Sequence, residues 1–61
     1  MTAMTVVLWD VETKGLYVIN GVKTIRNNPH DIKIILMAGG SHKYFKTKWE
    51  LQKATIEDVI S

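Results

Sequence analysis

The sequence has no cysteine, one proline and one phenylalanine. Without cysteine there are no disulfides and no thiolate metal sites. The single proline, Pro29, removes one ladder donor and reads as a loop residue. Long apolar runs are missing as well. The longest is Ile34–Ala38, which is strand length and far short of the roughly 20 residues of a spanning helix. Met1–Thr5 carries no basic n-region. No membrane association is expected, and the expected location is cytoplasmic. Charge of one sign is scarce too: Lys+Arg 8 against Asp+Glu 6 leaves a net +2. Strong nucleic-acid binders carry more basic charge and cluster it.

What is present is an apolar fraction of 46%, which excludes outright disorder. With 61 residues the chain holds one domain, read as 1–61 with residues 1–4 loose. A domain this small buries only about 60% of its unfolded surface, so its stability is expected to be marginal. Small domains recruit disulfides, metals or partners. Here a partner is the support that remains.

Thr5–Val11 is β-branched and aromatic, which suits a strand. Glu12–Gly15 reads as a turn, with Gly15 supplying positive φ. Leu16–Ile19 and Val22–Ile25 flank Asn20-Gly21, a type I′ hairpin signal that would set Ile19 opposite Val22. Asn27–Asp31 breaks the pattern, and Ile32–Ala38 reads as a fourth strand closed by Gly39-Gly40.

The last third reads as a helix. At 100° per residue, Tyr44, Phe45, Trp49, Leu51, Ile56, Val59 and Ile60 share one half of the wheel. The other half holds no large apolar residue. Ser41 is placed to be an N-cap, and Thr47–Glu50 is a competing capping box. Lys46–Glu50 and Lys53–Glu57 have i,i+4 spacing. The expected fold is therefore α+β. A four-stranded antiparallel meander (about 5–11, 15–19, 22–26 and 32–38) carries one amphipathic helix (about 42–60) on one face.

Few residues invite chemistry. His30 and His42 are twelve apart with no convergent ligands, so no metal site is expected. No pocket-forming set of nucleophile, base and orienting group is visible, so neither enzymatic activity nor a cofactor is expected. Gly39, Gly40 and Ser41, leading from strand to helix, are a candidate anion site, since helix N-termini present N–H groups. Arg26, Lys43, Lys46 and Lys48 are candidate nucleic-acid contacts. On the expected helix, Lys43 and Lys46 share their face with Glu50 and Glu57.

The sheet is more informative. Val7, Trp9 and Val11 alternate with Val6, Leu8 and Asp10; Ile32, Ile34, Leu36 and Ala38 alternate with Lys33, Ile35 and Met37; and the hairpin sets Leu16, Val18 and Ile25 on one face and Tyr17, Ile19 and Val22 on the other. A sheet with one wet face should alternate apolar with polar. This one is apolar on both faces over most of its width, and one helix covers only one of them. The second face calls for a second copy or another protein, with Trp9, Tyr17, Ile35 and Met37 as candidate anchors.

The order strand, turn, strand, Val22–Arg26, loop, Ile32–Ala38, Ala38-Gly39-Gly40 and amphipathic helix resembles the opening segment of proteasome-like N-terminal nucleophile hydrolases. Lys23 matches the family pattern. Thr5 follows Met4 rather than opening the chain, and Asn20 stands where the family wants an aspartate. The resemblance implies a sheet-plus-helix layout whose uncovered face seeks another layer, and no protease activity is carried over. The expected function is that of a small non-enzymatic interaction protein, homo-oligomeric or docked on a larger protein. Accessory and regulatory proteins of the kind phages and mobile elements encode fit this description. The alternative is a weakly basic nucleic-acid-binding protein.

Overall fold

A computed structural model describes residues 2–58 of the chain. It is all-β: β1 (Thr2–Asp10), β2 (Gly15–Asn27), β3 (Asp31–Leu36), β4 (Ser41–Phe45) and β5 (Trp49–Asp58). They form one antiparallel sheet in the order β4-β3-β2-β1-β5. β1 begins at Thr2 and pairs with β5, Ala3 opposite Glu57 and Met4 opposite Ile56.

The expected helix is replaced by β4, a short turn at residues 46–48, and β5. Its last residues, Val59 and Ile60, lie outside the described part of the chain. The helical periodicity has a physical origin. Tyr44 and Leu51 stand on the core side of the sheet, as do Trp49 and the exposed Ile56 (opposite Met4), and each pair is seven residues apart. In β4 and β5 that spacing comes from period-2 alternation interrupted twice. The turn separates Tyr44 from Trp49, and an extra residue in β5, Gln52, shifts the register between Leu51 and Lys53. Two interruptions of a period of 2 reproduce a helical spacing.

The second correction concerns Asn20-Gly21. It makes no hairpin, because a type I′ turn needs positive φ at both residues and only Gly21 has it, at 67°. The strand runs on through both. Between Met4↔Val22 and Val6↔Ile19, the pair Asn20-Gly21 opposes the single residue Thr5, which is a β-bulge with a left-handed glycine. The Thr5 hydroxyl donates to Asn20 Oδ1 at 3.1 Å. A second irregularity leaves Lys23 unmatched between Val22↔Leu36 and Thr24↔Ile35. β2 is therefore a corner: its first half pairs with β1 and its second with β3. The β1–β2 turn lies where expected, but Lys14 (φ 57°) rather than Gly15 takes the left-handed conformation.

The sheet must roll. Flat, β4 and β5 would lie about 19 Å apart, four spacings of about 4.8 Å. The connection from Phe45 to Trp49 reaches at most about 14 Å when extended. The two edges therefore meet at the turn, where Tyr44 and Trp49 stack edge-on at 5.5 Å. β4 and β5 do not pair, so the roll stays open along these edges. Inside it lie Val6, Leu8, Val22, Ile32 and Ile34, all fully buried. Met4, Ile19, Ile25, Leu36 and Leu51 pack against them. Among the described residues no helix is long and apolar enough to cross a membrane.

Candidate functional site

The end of the roll where β4 turns into β5 is closed by aromatic rings. Tyr17 of β2 lies 6.3 Å from Tyr44 and 5.7 Å from Trp49. Burial pushes the Tyr44 phenol above its ordinary pKa, and the neighbouring Tyr17 phenol adds to the effect. Asp10, the last residue of β1, is 8% exposed and accepts from the backbone N–H groups of Glu12 (2.9 Å) and Thr13 (3.3 Å). Lys48 Nζ lies 3.6 Å from Asp10 Oδ2 and 5.3 Å from the centre of the Trp49 ring. Desolvation raises the Asp10 pKa. The hydrogen bonds of Thr13 and Glu12, with the Lys48 charge, outweigh it and hold the carboxyl below the ordinary value. These contacts pin the β1–β2 turn to the β4–β5 turn, which Val11 N–H also bridges to the Lys48 carbonyl at 2.9 Å. A shallow cleft of about 340 Å³ beside this end is lined by Asn27, Lys46, Trp49, Glu50 and Leu51.

The outer face of the roll divides in two. Over β1 and the first half of β2, Val7 stands opposite Val18 and Trp9 opposite Leu16. Opposed residues share a face, so these four side chains form one outward apolar quartet. Leu16 is 65% exposed and Val18 53%. On β5 the quartet is bordered by Lys53, opposite Val7, and Glu50, opposite Trp9. Over the second half of β2, β3 and β4 the outer face carries a row of basic side chains beside Thr24, Ile35 and Ser41. Arg26 stands opposite Lys33, and Lys33 opposite Lys43. Phe45, 58% exposed, follows Lys43 on the same face.

The candidate anchors do not share one surface. Trp9 belongs to the outer quartet. Ile35 lies on the outer face of β3, opposite Thr24 and Ser41. Met37 is in the β3–β4 turn, and Tyr17 belongs to the ring cluster at the mouth of the roll. Of the candidate basic contacts, Arg26 and Lys43 fall in one row, Lys46 sits in the β4–β5 turn, and Lys48 is committed to Asp10 and Trp49. Gly39 and Gly40 (φ 99° and 89°) form the β3–β4 hairpin turn, where Gly39 N–H donates to the Leu36 carbonyl at 3.1 Å. No helix N-terminus follows them, so the geometry that suggested an anion site is not present. His30 lies in the β2–β3 loop, and His42 stands against Tyr44 with ring centres 6.4 Å apart. Among the described residues no cluster of three or more His, Asp or Glu could hold a metal ion.

Sequence reading placed Leu16 and Val18 together on one face but did not single them out. Lys33 and Phe45 were missed altogether as surface partners. Their signal is the register of β3 on β4, which the helical spacing of apolar residues over 42–60 conceals. No family model, curated protein or solved structure matches this chain.

Proposed function

We propose that the protein is a non-enzymatic interaction protein that self-associates through the outer face of β1 and β2. The observation that carries this reading is the quartet Val7, Trp9, Leu16 and Val18. It is two adjacent cross-strand apolar pairs facing outward on a sheet whose core lies on the other side. A small domain gains most from covering such a patch. A second copy offers the same patch, and stacking it at about 10 Å gives a two-fold sheet-to-sheet interface. Lys53 and Glu50 at the border are of opposite sign and suit the rim of that interface. A cysteine-free fold of this kind is proposed to work in the cytoplasm, where thiols stay reduced and disulfides contribute nothing.

Sedimentation at high concentration tests the proposal. The wild-type chain is expected to run as a dimer and Leu16→Asp as a folded monomer. Leu16 is already mostly exposed, so the monomer tolerates the charge, whereas an apolar interface does not. A wild-type chain that stays monomeric at high concentration overturns it.

A further inference from the structure

The second half of the outer face carries a feature that the quartet does not explain. Arg26, Lys33 and Lys43 stand directly opposite one another on three adjacent strands. Cβ atoms of opposed residues are about 5 Å apart, and like charges so placed destabilise a sheet. No acid answers them. Among the described residues the ion pair is Lys48–Asp10, at the mouth of the roll. The nearest acid on this face is Asp31, two residues before Lys33. It stands opposite Phe45 and accepts from the Asn28 side-chain amide at 2.7 Å. Three cations in a line across the strands, with an exposed aromatic ring beside the last, combine the two elements of a single-strand surface. These are a charged track for phosphates and a platform for a base.

We infer that the Arg26–Lys33–Lys43 row with Phe45 binds single-stranded nucleic acid without sequence preference. The row holds successive phosphates and Phe45 stacks on a base. A line of charge fits a linear polyanion better than a bilayer, which presents its charge over a plane. The site is separate from the quartet, with Thr24, Arg26, Lys33 and Lys43 on strands β2–β4 and the quartet on β1–β2. The residue that decides the geometry is Lys33, because it has a like charge on either side.

Fluorescence anisotropy of a labelled oligothymidylate tests this on the full chain. Three phosphate contacts predict that log K falls against log salt with a slope of about −2, roughly 20-fold between 50 and 200 mM. Lys33→Gln is expected to reduce the slope by about 0.7. Phe45→Ala is expected to weaken binding by roughly fivefold or more with the slope unchanged. Lys14→Gln, at an exposed position in the β1–β2 turn away from both surfaces, is the control and leaves the slope as it was. Lys33→Gln should also raise Tm, since it relieves repulsion, so weaker binding in that variant cannot be put down to unfolding. The inference is overturned if the oligonucleotide does not bind at low salt. It is also overturned if Lys14→Gln lowers the slope as much as Lys33→Gln does. A third result against it would be Lys33-dependent binding of phosphatidylglycerol vesicles with the oligonucleotide left unbound.

Discussion

The two halves of β2 differ in what they show the solvent. The first half, before Gly21, turns Leu16 and Val18 outward. The second, after it, turns Thr24 and Arg26 outward. Both halves line one core from the inside, with Ile19 on one side of the bulge and Val22 and Ile25 on the other. A single strand thus serves an apolar surface and a basic one, and the bulges at Asn20-Gly21 and Lys23 separate them. The lesson is that a bulge does more than bend a strand. It lets the inner face stay apolar while the outer face changes character.

The strongest way to break this comparison is to delete matched core side chains on either side of it. Leu8→Ala under the first half and Ile34→Ala under the second should each cost about 3 kcal/mol in chemical denaturation, because both are fully buried in one shared core. Unfolding transitions that fail to coincide when followed in the two halves would mean that they fold as separate units. Next in size is the junction. Gly21→Val places a β-branched residue at φ 67°, and although a Cβ there meets no neighbour, the left-handed backbone should cost about 1–2 kcal/mol. Gly21→Asn should cost less, and thermal melts compare the two.

A third prediction tests the clasp that holds the ends of the roll. The Asp10 carboxyl is held below its ordinary value, so the stability it contributes is complete above the unfolded pKa. That contribution is lost as pH falls through the folded one. Melts taken from pH 6 down past about 4 should therefore fall in Tm, and Asp10→Asn should flatten part of the decline. The smallest effect lies in the basic row. Lys33→Gln should stabilise the fold by a few tenths of a kcal/mol. Val18→Gln, on the apolar half, should change monomer stability little, since Val18 is 53% exposed.

Much of the sheet was legible in the residues. β1, the turn after it and β3 follow from β-branched alternation between breakers. The core residues Val6, Leu8 and Ile34 sit where period 2 places them. The misreadings share one cause. Asn20-Gly21 and the run from Ser41 to Asp58 both contain bulges or turns that add one residue to a period of 2. A bulge is visible only against its partner strand. The same holds for the basic row: nothing in the order of residues places Lys33 between Arg26 and Lys43 until β4 is known to be a strand.

The sequence by itself determined that the chain would be small, disulfide-free and rich in β-strands with apolar residues on both faces. Those properties depend on composition and on spacing within a strand. Tertiary structure decided that Ser41–Asp58 is two strands, that β2 bends instead of turning back, and that the outer face splits into an apolar and a basic half. Each of these depends on which strand lies beside which. The exposed edge of β1 needed a partner for its N–H and C=O groups, and β5 supplies one where a helix could not.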